Sequence, residues 1–186
     1  MTDKPGTAFN DIVAHEDWIP TLLAAAGEPN MKEKLLQGYK AGDKTFKVHL
    51  DGYNQMDYFA GKGADPRKEF FYFNDDGSLV ALRYNQWKLV FAEQRAHGGD
   101  VWQEPFVTLR VPKLYNIRSD PFETADHSME YRRWRAAHLF LLVPAQQYVG
   151  QFLGTFKEFP PRQKVVTFTL DNVLESLQTG AQDATN

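Results

Sequence analysis

Five histidines are the first residues with chemistry to offer, since an imidazole can ligate a metal or move a proton near neutral pH. His15, His49, His97, His127 and His138 never recur at i, i+3 or i+4, and no familiar metalloenzyme spacing occurs, so the pattern points to no metal site. Asp75 and Asp76 are a second candidate, because adjacent carboxylates at a turn suit a hard cation. Gly77 follows them, and Asp-Asp-Gly between two apolar runs is explained by turn geometry alone. Arg83, Lys88, Arg95 and Arg110 would bind an anion if they converged, although a solvated face is the plainer reading of such spacing. Trp87, Trp102, Tyr84 and Phe91 could stack on a ring-shaped ligand, yet aromatics on an alternating strand mostly hold a sheet to its cover.

Composition narrows what these groups can serve. A chain of 186 residues with 42% hydrophobic content can build one core, or one core with a dependent segment. A net charge of -3 and no basic run longer than Arg132-Arg133 leave no electrostatic footprint for nucleic acid. The absence of cysteine removes disulfides, thiolate metal sites and cysteine nucleophiles together, and leaves the compartment open. Leu139-Phe140-Leu141-Leu142-Val143, the longest apolar run, falls far short of the roughly 20 residues needed to span a bilayer. The N-terminus has no apolar signal core, so the chain is expected to be soluble, without a membrane partner, and cytoplasmic as it stands.

The elements that must position these residues follow in order. Ile12-Val13 could end a short strand. Asp17 can cap a helix with Pro20 in its first turn and Gly27 at its end. Residues 31–38 suit another turn or two of helix, 40–44 a break, and 46–50 an alternating strand. Asn54 can cap a short helix through Phe59 that stops at Gly61. Residues 70–73 and 79–84 flank Asp75-Asp76-Gly77 as a hairpin, residues 87–93 make a third strand and 113–117 a fourth. His97-Gly98-Gly99-Asp100 belongs to the tip of a longer loop. From Ser128 the pattern turns helical, with Val149, Phe152, Leu153 and Phe156 as an apolar stripe suited to a sheet, until Pro160-Pro161 ends it. Residues 169–177 suit one more short helix, and the tail after Thr179 is expected to be disordered. The fold class is therefore α+β, with a four-stranded antiparallel sheet flanked by helices.

Four segments in order carry a resemblance. They are residues 17–27 (Asp-Trp-Ile-Pro-Thr-Leu-Leu-Ala-Ala-Ala-Gly), 50–61 (Leu-Asp-Gly-Tyr-Asn-Gln-Met-Asp-Tyr-Phe-Ala-Gly), 81–90 (Ala-Leu-Arg-Tyr-Asn-Gln-Trp-Lys-Leu-Val) and 114–123 (Leu-Tyr-Asn-Ile-Arg-Ser-Asp-Pro-Phe-Glu). Together they resemble the C-terminal part of the arylsulfatase family, of bacterial type, over about residues 9–125. The resemblance implies three parts: residues 1–62 as the end of the large alkaline-phosphatase-like domain, 63–125 as the antiparallel-sheet C-terminal subdomain, and 126–186 as a helical extension.

Sulfatases hydrolyse sulfate esters with a formylglycine made from the Cys or Ser of a Cys/Ser-x-Pro-x-Arg motif. Beside it lies a Ca²⁺ held by aspartates and an Asn or Gln, and the metal and basic groups neutralise charge developing on the sulfate. In the family all these positions lie upstream of the segment that residues 17–27 resemble. The resemblance thus implies no catalytic residue, metal ligand or cofactor in this chain. Ser119-Asp120-Pro121-Phe122-Glu123 echoes the motif but has Glu where the essential Arg belongs, and it reads as a turn with Pro at its second or third position. Because the family's C-terminal region lies near the mouth of the active site, His49 and the His97 loop are candidates to border the substrate pocket. The expected partner is the missing large domain, or a second copy of the chain as a homo-oligomer if the module stands alone.

Overall fold

The computed structural model describes residues 5–161. The helix expected over 169–177 and the tail after Thr179 lie outside the described residues. Within them the fold is α+β: a four-stranded antiparallel sheet and a separate two-stranded one, with helices before and after.

The sheet is a meander of β3 (Glu69–Phe73), β4 (Leu79–Tyr84), β5 (Trp87–Glu93) and β6 (Val107–Asn116), in that spatial order. Register aligns Phe71 with Leu82, Leu82 with Leu89, and Leu89 with Leu114, so one residue from each strand forms a single apolar row. Strand alternation sends that row to one face, and there Leu82, Leu89 and Leu114 join Ala145 as the buried core. Gly77 at φ 75° closes the β3–β4 connection, in keeping with its place after Asp75-Asp76.

Helix α5 (Leu142–Thr155) covers this face. Phe152 stacks on Phe71 at 4.0 Å between centroids and 10° between planes, and Phe156 meets Phe73 at 6.4 Å. Tyr148 donates from its hydroxyl to that of Tyr84 at 3.0 Å. Of the other two members of the expected stripe, Val149 packs against the core, whereas Leu153 is 41% exposed. Helix α4 (Tyr131–Ala137) adds Trp134, which stacks on Trp87 at 6.1 Å. The Tyr131 hydroxyl accepts from the Leu114 N–H at 2.9 Å and donates to the Leu114 carbonyl at 3.2 Å, which covers part of the free edge of β6.

Ahead of the sheet lie α1 (Trp18–Ala25), α2 (Met31–Gln37), the hairpin β1 (Tyr39–Ala41) and β2 (Lys44–Phe46), and α3 (Met56–Phe59). Four expectations need correction. Ile12-Val13 forms no strand. Residues 40–44 are not a break but the turn of the β1–β2 hairpin, with Gly42 at φ 60°. Residues 46–50 do not continue as a strand past Phe46, and the Val48 N–H bonds instead to the Leu35 carbonyl at 3.1 Å. The fourth strand begins at Val107, well before Lys113.

Candidate functional site

The densest polar arrangement lies between the N-terminal segment and the start of the sheet. Asp17, only 1% exposed, stands at the N-terminus of α1, but its carboxylate does not cap that helix. It accepts instead from the N–H groups of Ala14 at 2.9 Å and Tyr53 at 2.7 Å. It also takes the Arg67 guanidinium through Nε at 2.9 Å and Nη2 at 2.5 Å. The same guanidinium donates to the Glu69 carbonyl at 3.1 Å and lies 4.8 Å from the Tyr53 ring centroid. Thr21 completes the link, donating to the Asp17 carbonyl at 2.6 Å and accepting from the Gln55 N–H at 3.0 Å.

Burial pushes the Asp17 carboxyl up, but the Arg67 and backbone hydrogen bonds outweigh it and hold the pKa below the ordinary value. The Tyr53 hydroxyl, desolvated and bonded to Glu69, is pushed well above the ordinary tyrosine range. Because both members of the Asp17–Arg67 pair spend hydrogen bonds on protein groups, the arrangement clamps three segments together, while the buried Gln55 Oε1 has no partner among the described residues.

His49 is half-buried beside Asp51, with Nδ1 3.1 Å from Oδ1, and its ring lies 5.7 Å from that of Phe159. It lines a cleft of about 560 Å³ shared with Lys47, Glu158 and Thr155. An Asp51 that accepts from Nδ1 leaves Nε2 of the neutral ring as an acceptor, the geometry of a general base. The Thr155 hydroxyl in the same cleft donates back to the Phe152 carbonyl at 2.7 Å. Lys47 is already paired with Glu158 at 2.8 Å. His97 is exposed at the start of a 3-10 turn over Gly98–Trp102 and takes no part in the His49 cleft. The two candidate border residues are therefore not brought together.

Other candidates resolve by their surroundings. Trp87 and Phe91 pack against the core, whereas Trp102 is 83% exposed. Arg83 and Lys88 stand opposite each other in register, but Lys88 holds Glu123 through bonds of 2.7 and 2.9 Å and Arg95 pairs with Glu93 at 2.9 Å, so the four basic residues do not gather around one cleft. The Ser119–Glu123 echo is a turn with Pro121 at its second position, closed by the Glu123 N–H on the Asp120 carbonyl at 3.2 Å. Among the described residues no group of three or more His, Asp or Glu side chains is arranged to hold a metal ion, and no helix is long and apolar enough to cross a membrane.

Arg67 is the site residue that sequence reasoning missed. It follows Pro66 in a polar loop, 50 residues from Asp17, and only a search for a buried partner to Asp17 would have singled it out. No protein-family model matches this chain, and no curated protein sequence matches it.

Proposed function

We propose that this chain is the C-terminal supporting part of an arylsulfatase-like sulfuric ester hydrolase and carries none of the groups that react with substrate. One observation supports the reading above others: the four segments that carry the resemblance bind in two pairs, the first to the second and the third to the fourth. Asp17 and Thr21 of the first segment bond to Tyr53 and Gln55 of the second. Leu89 and Lys88 of the third pair with Leu114 and Glu123 of the fourth. Residues so employed hold a scaffold together, and a scaffold assists catalysis by supporting what lies next to it.

The neighbouring part would hold the formylglycine and the Ca²⁺. Trp18, Ile19 and Leu22 recur at i, i+1 and i+4 on α1 and are 47%, 56% and 60% exposed, an apolar stripe suited to covering by that part. Mixing the purified chain with a separately expressed, formylglycine-bearing arylsulfatase large domain tests this. Co-elution on gel filtration is expected, with loss of the complex on Ile19→Glu and Leu22→Glu. Failure to associate, with the chain folded by circular dichroism, would contradict it.

The same stripe favours a second reading, a stand-alone module that self-associates. A dimeric mass by light scattering that reverts to monomer in the Ile19→Glu, Leu22→Glu variant would support that reading, and a strictly monomeric mass at high concentration would count against it.

A further inference from the structure

The face of the sheet turned away from α5 carries Phe70, Tyr72, Arg83, Lys88 and Tyr115, because these alternate with the core row Phe71, Leu82, Leu89 and Leu114. On this side a cleft of about 560 Å³ opens between the N-terminal segment, the β4–β5 turn and the turn after β6. Lys68, Arg83 and Arg118 all line it, and none of the three forms an ion pair among the described residues. Arg83 uses its Nε on the Asn85 carbonyl at 3.0 Å, which orients the guanidinium and leaves its other N–H groups without a partner among the described residues.

Of the three carboxylates that line the cleft, Glu123 alone is neutralised by an ion pair among the described residues. Glu123 is held twice by Lys88, whereas Asp65 accepts the Arg67 N–H at 2.9 Å through Oδ1 and its buried Oδ2 has no partner among the described residues. Asp11 donates its backbone N–H to the Tyr58 hydroxyl at 3.3 Å. Three unpaired cations, Lys68, Arg83 and Arg118, thus face two unpaired carboxylates, Asp11 and Asp65, and the cleft keeps a positive excess.

The backbone marks the same place. Among the described residues only Asn85, at φ 49°, and Glu123, at φ 56°, are non-glycine residues in the left-handed region, and both line this cleft. Asparagine tolerates that conformation readily and glutamate does not. Strain held in place by surrounding bonds, here the Lys88–Glu123 pair, collects at sites that bind something.

We propose that this cleft binds a small molecule through an oxyanion, a sulfate, phosphate or carboxylate group. Arg83 and Arg118 supply forked N–H donors to its oxygens, and Lys68 supplies a point charge. The volume exceeds what a bare ion fills and lies in the range of small-molecule pockets, so the oxyanion is borne by an organic body. The side-chain amides of Asn85 and Gln86, which also line the cleft, are placed to bond hydroxyl groups on it. The inference holds whether or not the parent is a sulfatase.

The test is a ¹⁵N NMR titration of the full chain with sodium sulfate, sodium phosphate or sodium acetate, each against sodium chloride at matched ionic strength. Saturable shifts centred on Asn85, Gln86 and Arg118 are expected with at least one of them, and the tightest of the three names the group. Arg83→Gln and Arg118→Gln are each expected to weaken binding about tenfold, and Lys68→Gln about threefold, as removal of one charge-assisted contact does. Arg95→Gln and Arg110→Gln, away from the cleft, are expected to leave it unchanged, and each variant's spectrum reports whether it is folded. Shifts no larger than those with chloride for all three anions would overturn the proposal, as would equal weakening by Arg95→Gln or Arg110→Gln.

Discussion

Asp17 and Arg67 stand 50 residues apart in sequence and form a bidentate ion pair, with Arg67 Nε 2.9 Å from Oδ2 and Nη2 2.5 Å from Oδ1, at 1% and 3% side-chain exposure. The pair joins the turn before α1 to the strand β3, and through the Tyr53 N–H it also fixes the segment between β2 and α3. Removing one partner leaves a buried charge without its complement. Asp17→Asn is therefore expected to cost about 3–5 kcal/mol by urea denaturation, while Asp17→Leu combined with Arg67→Met should recover much of that loss. Equal losses for the single and double variants would mean that the pair contributes net stability.

The same pair sets the response to acid. Asp17, Asp126 and Glu93 all have folded-state pKa values below their ordinary ones, because bonds to Arg67, to Lys113, and to Lys113 and Arg95 respectively outweigh burial. A depressed carboxylate stabilises the fold above its unfolded pKa, about 3.9 for Asp, and loses that contribution as pH falls through the lower folded value. Melting temperature is thus expected to be flat from pH 7 to about 5 and to drop steeply below about 4. Asp17→Asn should flatten that drop. Asp126 and Glu93 lie nearer solvent, so screening leaves them the smaller share.

Gly52 is required by proximity rather than by conformation. A Cβ there would lie 2.0 Å from the Glu16 carbonyl oxygen and 2.7 Å from its carbon, both backbone atoms that cannot swing aside. Gly52→Ala is expected to destabilise by about 1–3 kcal/mol, as overpacking does, whereas Gly77→Ala meets nothing within 4 Å and carries only the cost of its φ of 75°. Comparison of the two variants in thermal melts separates steric from conformational demands.

The central sheet is legible in the sequence because alternation and the Asp75-Asp76-Gly77 turn act locally, and β5 begins at Trp87 and ends at Glu93 as expected. The early part of β6 is not legible: Pro112 lacks an N–H and argues against a strand. It is tolerated because the register shifts between Val90 and Ala92, where the ladder is irregular. The β1–β2 hairpin is hidden by exposed lysines, although Gly42-Asp43 is a two-residue turn of a familiar kind. Asp17 is recognisable as a cap and not as half of an ion pair, since its partner is set by tertiary proximity. Of the polar cleft, only Arg83 is visible as a candidate. Its company with Lys68 and Arg118 depends on the turn after β6 folding back, which spacing does not reveal.

The proposed supporting role is tested most directly by assaying nitrophenyl sulfate hydrolysis with the purified chain in the presence of Ca²⁺. No turnover above the protein-free blank is expected, since the residues that carry the family resemblance are spent on holding the sheet and the N-terminal helices together. Measurable, Ca²⁺-dependent release of nitrophenol by the chain alone would contradict it.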